Sequence, residues 1–307
     1  MPITWLDKWK QLKKNIFRYR YLYLLLLPAL VLMFTFRYAP MYGIQIAFKD
    51  YRFADGITGS QWAGMKYFTR MFAEPKFLQV LKNTFVISFG KLIFGFPAPI
   101  LLAILLNEIR LMWFKRVAQT ISYLPHFISW VVLAGVFKEV LSMDGPLNYV
   151  RQLLGKAPHM FMVDPQWFVQ ILISTDIWQS IGWGSIIYLA AIAGIDRHLY
   201  EAAQIDGAGR LKQIWHITIP SLVPVIFLLF LLRIGNIMDT DFDQIFNMYS
   251  SLVYSVADVL DTYTYRLGLI DMNFSYATAI GLFKNVIGLS LLLIINYSTK
   301  KLNQYGV

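Results

Sequence analysis

The chain of 307 residues contains no cysteine, which excludes disulfide bonds, thiolate metal sites and cysteine nucleophiles. Charge is scarce as well: 15% of the residues are charged and 57% are hydrophobic, whereas about 25% are charged in ordinary soluble domains. The pattern Gly-x-x-x-x-Gly-Lys-Ser/Thr is absent, so this chain has no phosphate loop of its own for ATP. Its four histidines are scattered, with neither His-x-x-x-His nor Glu-x-x-His spacing, and no metal site is expected.

The net charge of +10 does not indicate nucleic-acid binding. The basic residues lie at the ends of apolar runs, and they do not form a basic face interleaved with aromatic side chains. Neither a paired-carboxylate nor a Ser/His arrangement is evident, because Ser180 and Ser185 have no base nearby in the sequence. We therefore expect no nucleic-acid partner and no catalytic residue in this chain.

Six long apolar segments dominate the sequence. A helix needs about 20 mostly apolar residues to cross the hydrocarbon core, and lipid offers the backbone no hydrogen-bond partner, so such segments must be helical. The runs are too continuous for the alternating strands of a membrane barrel. The predicted spans are Tyr21–Phe36 with a possible extension to Phe48, Thr84–Leu106, Val117–Phe137, Trp167–Ile195, Leu222–Ile237 with a possible extension to Phe246, and Thr278–Tyr297.

Basic residues set the predicted orientation. The tail before the first span carries six of them, so it should be cytoplasmic, and six spans then place both termini inside. The loops with Arg110 and Arg210 and the end of the chain are also basic, as expected of cytoplasmic segments. The first outer loop is basic too, which breaks this pattern. A cleavable signal peptide is the alternative for the first span. The long apolar run and the lack of a small-x-small site favour an uncleaved span.

The polar stretch between the fourth and fifth spans, residues 196–220, carries the most specific pattern. Glu201, Ala202 and Ala203 favour a helix, Gly207 can end it, and Pro220 can open the fifth span. Two short helices along the inner membrane face are expected, with small residues that allow another surface to approach closely.

These residues resemble a known family. The permeases of binding-protein-dependent ABC importers carry the pattern Glu-Ala-Ala, three residues, Gly, nine residues, then Ile-x-Leu-Pro. This sequence resembles that pattern at the same spacing, with Glu201-Ala202-Ala203, Gly207, Ile217, Ile219 and Pro220, and it has Ile219 in place of Leu. That exchange conserves volume. Segments such as residues 40–50 and 188–196 look like one subfamily of sugar-importer permeases, linked to oligosaccharides from plant or algal polysaccharides, including uronate-containing ones. A generic amphipathic interfacial helix is the competing interpretation.

The resemblance implies an all-α integral membrane protein with about six transmembrane helices and a cytoplasmic coupling-helix loop, the type I ABC importer permease fold. It implies a bacterial cytoplasmic membrane location and four kinds of partner: a second homologous permease, two ATPase subunits that bind ATP and Mg, an extracytoplasmic binding protein and an oligosaccharide. In the family, the coupling segment sits in a cleft of the ATPase. The residues expected to couple are Tyr200, Glu201, Ala202, Ala203, Asp206, Gly207 and Ala208.

Polar residues within the spans are candidates for the translocation path, because ionisable groups in a bilayer usually face a cavity or a partner. Arg233, Asn236, Asp239 and Asp243 recur every three or four residues and should share one helical side. Trp178, Trp183 and Tyr188 are candidate platforms for sugar rings, with packing or lipid contact as the alternative. The path candidates are Lys91, Asp176, Trp178, Arg233, Asn236, Asp239 and Lys284.

One membrane domain is the simplest organisation. It comprises a basic cytoplasmic tail at residues 1–20, a transmembrane permease domain at 21–300 that includes the coupling loop 196–220, and a cytoplasmic tail at 301–307. The alternative function is a standalone secondary transporter or channel. Such carriers usually have more spans and internal repeats.

Overall fold

The computed structural model describes residues 14, 15 and 17–304, with side chains up to residue 297. Lys8, Lys10 and Lys13 of the predicted basic tail lie outside this part, and so do residues 305–307 of the predicted C-terminal tail. The described chain is almost entirely helical, in agreement with the predicted all-α class.

The first half of the described chain is helical apart from one short hairpin. Its elements are α1 (Arg20–Met33), which continues through a π-helical turn (Phe34–Tyr38) and a 3-10 segment (Ala39–Phe48), β1 (Lys49–Asp50), α2 (Gly56–Gly59), β2 (Gln61–Trp62), α3 (Lys66–Ala73), α4 (Pro75–Gly90), a π-helical turn (Lys91–Gly95), α5 (Pro97–Glu108), α6 (Met112–Tyr123), a 3-10 turn (Leu124–Phe127), α7 (Trp130–Val140) and α8 (Pro146–Leu153). β1 and β2 pair antiparallel, with Lys49 opposite Trp62.

The second half contains the longest helices. Its elements are a 3-10 turn (Phe161–Val163), α9 (Pro165–Ala193), α10 (Arg197–Ile205), α11 (Arg210–Gln213), a π-helical turn (Ile214–Thr218), α12 (Ile219–Gly235), α13 (Phe242–Met248), a 3-10 turn (Ser251–Val253), α14 (Tyr254–Ala257), α15 (Leu260–Tyr265), a π-helical turn (Arg266–Ile270) and α16 (Phe274–Gln304).

Four helical stretches are long and apolar enough to cross a membrane, and the described chain has up to six spans if each of two bent pairs counts as one. The four stretches are Arg20–Phe48, Pro75–Glu108, Arg210–Gly235 and Phe274–Tyr297. The bent pairs are Met112–Phe127 with Trp130–Val140, and Pro165–Ala193 with Arg197–Ile205. This range is compatible with the six predicted spans.

The third predicted span is not one straight helix. The chain turns by 105° between Phe127 and Trp130, because Pro125 tightens the helix end and Ile128 and Ser129 adopt extended backbone conformations. The bend turns Trp130 inwards, where the residue is 7% exposed. Hydropathy measures apolar length and not direction, so the sequence did not predict this break.

The fifth span also differs from the prediction. α12 ends at Gly235, Asn236 leaves the helical conformation, and Asp241 has a φ of 64° before α13 begins. The expectation that Arg233, Asn236, Asp239 and Asp243 share one helical side is therefore wrong. Gly235 and Asn236 both have low helix propensity, and the end of the helix there separates Asp239 and Asp243 from the side that carries Arg233.

We call residues 196–220 the elbow. The second of the two short helices predicted for it is not separate from the fifth span. α11 continues through the π-helical turn into α12, which makes one helix from Arg210 to Gly235. In this wide turn the amide of Ile219 donates to the carbonyl of Ile214, which accommodates Pro220 and its missing N–H. Of the two short helices predicted for residues 196–220, α10 alone is separate from the fifth span.

The long helix α9 is the centre of the packing. It lies along α5 and also contacts α6, α12 and the π-helical turn at Lys91. A Cβ atom at Gly182 would lie 1.9 Å from the carbonyl oxygen of Ser122, so only glycine permits this approach of α9 to α6. This agrees with the close packing that small residues near Gly182 favour.

The spans leave two opposite ends, which we call the elbow face and the far face. The elbow face contains residues 196–220 together with residues 107–110. At the far face, the hydroxyl of Ser275 donates to the carbonyl of Lys49 at 2.6 Å and accepts from the amide of Tyr51 at 3.0 Å. These bonds join the end of the first span to the start of the last.

Candidate functional site

The elbow begins and ends with well-defined helix caps. At its start, the Asp196 carboxylate accepts from the amide of His198 at 3.0 Å. At its end, the amide of Gly207 donates to Gln204 at 3.0 Å and the amide of Ala208 donates to Ala203 at 2.8 Å. This pair of bonds is the Schellman arrangement, and it needs a left-handed residue. Gly207 fills that position with a φ of 75°, as its sequence pattern indicates.

Side chains then brace the elbow into one unit. The hydroxyls of Tyr200 and Thr218 are 2.9 Å apart, which ties α10 to the start of the fifth span. The amide of Gln213 donates to the carbonyl of Ala208 at 2.8 Å. Arg210 lies 3.4 Å from Glu108 at the end of the second span that borders the elbow. A force applied to α10 therefore has a direct side-chain route to the fifth span and, through Arg210, an indirect route to the second.

The surface of α10 is open, because no residue in this helix is buried. Of the predicted coupling residues, Glu201, Ala202, Asp206 and Gly207 are exposed, and Tyr200, Ala203 and Ala208 are half-buried. Behind them a cleft of about 670 Å³ separates the elbow from residues 107–110. The structure brings all seven predicted coupling residues onto one short segment at the elbow face.

Two apolar residues of α10 were missed by the sequence reasoning. Leu199 is 50% exposed and Ile205 is 87% exposed. With Ala202 they follow a three-residue spacing, which places them within about 120° of one helix side. Leu199, Ala202 and Ile205 thus give α10 a small exposed apolar side. The missed signal was this apolar spacing within the polar loop.

Gly207 provides a direct test of the cap. Gly207→Ala should destabilise the end of α10, because an L-residue in the left-handed region costs about 1–2 kcal/mol. The amides of residues 207 and 208 should then exchange hydrogen about 5–30 times faster, measured by hydrogen-exchange mass spectrometry of the elbow peptide.

The matched control is Gly209→Ala. Gly209 has a φ of −66°, and a Cβ atom at either glycine meets no other atom within 4 Å. Gly209→Ala should leave the exchange rates near those of the wild type. Equal acceleration in both variants would show that the φ of Gly207 is not what holds the elbow.

Lys91 and Asp176 form a buried polar centre between the second and fourth spans. The ammonium of Lys91, 3% exposed, lies 2.9 Å from Asp176 and donates to the carbonyl of Thr240 at 3.1 Å and to Gln244 at 2.5 Å. Gln244 in turn donates to the carbonyl of Leu172 at 2.7 Å. All three ammonium protons have acceptors, which the low dielectric of this region requires. This geometry gives the pair a structural role.

Lys284 has a different setting, because it is half-buried between two carboxylates. It donates a very short hydrogen bond to Asp261 and lies 3.6 Å from Asp239. The hydroxyl of Thr240 also donates to Asp261 at 3.3 Å. Asp261 and Gln244 are further polar residues that the sequence reasoning missed, since neither shows any spacing with Lys284 or Lys91.

Three of the path candidates remain exposed at one place. Arg233, Asn236 and Asp239 lie at the end of α12 and line a narrow cleft with Lys91. An adjoining cleft of about 130 Å³ contains Asn236, Asp239 and Lys284. The turn after Gly235, and not a continuous helix, brings them together.

The aromatic candidates separate into exposed and buried residues. Trp178 is 48% exposed and packs edge-on against Phe137. Trp183 is 46% exposed and stacks on His126, with 4.8 Å between the ring centroids. Tyr188 is 3% exposed and packs with Ala103, Ile104, Ile192 and Leu222. For Tyr188 the packing alternative holds, because its ring is enclosed by the core.

Carboxylates at the far face form ion pairs with basic residues of the first predicted outer loop. Lys66 pairs with Asp50 at 2.7 Å and Lys76 with the fully buried Asp258 at 3.4 Å. Hydrogen bonds from Lys66 and Tyr67 lower the pKa of Asp50. Local pairing thus neutralises part of the positive charge of this loop.

Glu74 fastens this face to the last span. Its carboxylate accepts from the hydroxyl of Tyr276 at 2.7 Å and from that of Tyr263 at 3.2 Å. Burial and the nearby Glu74 raise the pKa of Tyr263 to about 12. Among the described residues, no group of three or more His, Asp or Glu side chains is arranged to hold a metal ion.

Comparison with known proteins gives one family. The sequence profile of "Binding-protein-dependent transport system inner membrane component" matches residues 95–304. The chain is 43% identical over 302 residues to the polygalacturonan/rhamnogalacturonan transport system permease protein YteP of Bacillus subtilis, covering 98% of this chain and 94% of that protein. It is also 43% identical to Protein LplB of the same organism over 291 residues, which are 94% of this chain and 92% of that protein.

Two solved structures are similar over nearly the whole chain. One is a bacterial ABC transporter involved in the import of the acidic polysaccharide alginate, with a TM-score of 0.88, 40% identity and coverage of 95% of this chain and 99% of that chain. The other is a bacterial alginate ABC transporter in complex with an alginate pentasaccharide-bound periplasmic protein, with a TM-score of 0.87, 40% identity and coverage of 96% and 99%.

Proposed function

The chain belongs to the family of binding-protein-dependent transport system inner membrane components, and from this premise we propose that it forms the translocation path for an oligosaccharide in an ATP-driven importer. It is a multi-pass membrane protein and a non-catalytic transport subunit. ATP and Mg are to be bound by two separate ATPase subunits, since the sequence has no phosphate loop.

The observation that carries the proposal is the elbow. α10 is capped at both ends, open to solvent and tied to the fifth span by Tyr200, and the fifth span is paired with the second span through Arg210 and Glu108. In the proposed mechanism, closure of the ATPase pair moves residues 199–207, and the bracing transfers this motion to the attached spans. The path then alternates between inward-facing and outward-facing states.

The relatives support an oligosaccharide that contains uronate. The name of one relative refers to polygalacturonan and rhamnogalacturonan, and the similar solved structures concern alginate, an acidic polysaccharide. Exposed Trp178 and the polar cleft at the end of α12 offer an apolar ring surface and hydrogen-bonding groups, which are the two kinds of contact that an oligosaccharide takes.

The same assignment places the partners around the chain. A second homologous permease is proposed to cover the first span, Arg20–Phe48, whose most apolar 18-residue window has no buried residue. The binding protein is proposed to dock at the far face, on residues 50–76 and 144–164. The elbow face, the tail 1–20 and the tail 301–307 then lie in the cytoplasm, and residues 21–300 form the permease domain in a bacterial cytoplasmic membrane.

Reconstitution tests this function. The complex of both permeases and the ATPase subunits, in proteoliposomes with the loaded binding protein, should take up a labelled oligogalacturonate only with ATP. Uptake should persist when ion gradients are collapsed. Uptake by this chain alone, driven by an ion gradient, would instead identify a standalone secondary transporter and refute the proposal.

A further inference from the structure

The two adjoining clefts after the end of α12 contain three cations: Lys91, Arg233 and Lys284. Two of them are already neutralised. Lys91 is enclosed by Asp176 and two neutral acceptors, and Lys284 lies between Asp261 and Asp239. Arg233 forms no ion pair within the part of the chain that the structure describes.

The position of Arg233 makes the lack of an ion pair within the described chain informative. The residue is exposed in the last turn of α12 and lines the cleft that also contains Asn236 and Asp239. A guanidinium stays charged at any physiological pH, and a charge at membrane depth is expensive unless it faces water or an anion. The side chain therefore faces a passage or a partner, and not lipid.

Resting on the proposed function, we infer that Arg233 binds the carboxylate of an acidic sugar residue as the oligosaccharide passes along the path. The planar guanidinium can donate two parallel hydrogen bonds to one carboxylate, a geometry that lysine lacks. Asn236 donates its own amide to the carbonyl of Leu232 at 3.1 Å, so its side-chain oxygen stays available to a sugar hydroxyl. Together they fit a uronate residue.

Asp239 sets the strength of this contact. Its side chain is 67% exposed, and it shares Lys284 with Asp261. Its negative charge in the same cleft weakens the binding of any anion at Arg233. Such weakening suits transport, because a path site must bind well enough to admit the solute and weakly enough to release it.

The experiment compares Arg233→Gln with the wild type in the reconstituted complex. The probes are trigalacturonate and its carboxyl-reduced counterpart, which has the same chain length and no charge. The ratio of acidic to neutral initial uptake rates should fall about tenfold or more, the effect of losing a charge-assisted bidentate contact. Arg233→Lys should fall between the two, because it keeps the charge and loses the geometry.

The matched control is Arg116→Gln. Arg116 is an exposed arginine in α6 outside the cleft, and its replacement should leave the ratio at the wild-type value. An equal loss of both sugars in Arg233→Gln, or no loss, would overturn the inference. So would loss of the second permease on purification, since Arg233 would then pair with a carboxylate of that subunit. If the wild-type complex takes up neither sugar with ATP, the proposed function itself fails and this inference fails with it.

Discussion

Lys91→Met should lower the free energy of unfolding by about 3–5 kcal/mol, the cost of leaving one member of a buried ion pair without its partner. The substitution keeps the length of the side chain but removes the ammonium, which contacts Asp176 at 2.9 Å. The carboxylate of Asp176 would then be buried and unpaired. The acceptors on Thr240 and Gln244 would also lose their donor.

Thermal unfolding of the purified complex in detergent measures the effect. The control is the double variant Lys91→Met with Asp176→Asn, which should recover part of the lost stability because no buried charge then stays unpaired. A matched exposed control is Lys138→Met, in the last turn of α7, which should change little. If Lys91→Met abolishes uptake at unchanged stability, Lys91 acts on the solute and its pairing with Asp176 is incidental.

This prediction concerns a structural role for Lys91 and Asp176, which the sequence suggested as candidates for the translocation path. Sequence reasoning identified both residues correctly as unusual, because ionisable groups within apolar runs are rare. It did not pair them, since they are 85 positions apart and no periodicity relates residues of different spans. The same applies to Lys284 and Asp261, which are 23 positions apart. Knowing which charges are matched requires the fold.

The elbow was more predictable because its information is local. Glu201, Gly207 and Pro220 lie in one segment, and the conformations that they favour depend on neighbouring residues. The Schellman cap at Gly207 could therefore be anticipated from the sequence. The junction at Pro220 could not, because whether a proline starts a helix or sits behind a wide turn depends on the packing of the fifth span.

The apolar segments were predictable from the sequence, but their shape was not. Apolar length predicts that a segment crosses the bilayer, and the helices at Pro75–Glu108 and Pro165–Ala193 contain most of the two predicted spans. The 105° bend before Trp130 is accompanied by a tertiary contact: the indole nitrogen of Trp130 donates to Asp241 at 2.8 Å, and Asp241 also caps α13. A contact between two irregular segments leaves no periodic signal in either.

Ile205→Asp should nearly abolish the association with the ATPase subunits. Ile205 is 87% exposed at the end of α10, and apolar anchors in the centre of an interface typically contribute 2 kcal/mol or more. An aspartate there would also place an unpaired charge in the contact. We expect the affinity for the ATPase subunits to fall about 100-fold, measured by their retention during purification through a tag on the permease.

Gln204→Asp is the matched control, because it adds the same charge to the next position of the same helix. Gln204 lines the cleft behind the elbow and not the apolar side, so its replacement should retain most of the ATPase. Equal losses in both variants would show that added charge alone disrupts the elbow.

The competing explanation for Ile205 is that α10 lies on the membrane surface with its apolar side in the lipid headgroups. Ile205→Trp separates the two explanations. A tryptophan strengthens an interfacial contact, so a lipid-facing residue would tolerate it. In a cleft shaped around isoleucine, the larger ring would overfill the space, at a typical cost of about 1–3 kcal/mol. Loss of the ATPase in both Ile205→Asp and Ile205→Trp would therefore assign this side of α10 to a protein surface, because lipid rejects only the charged variant.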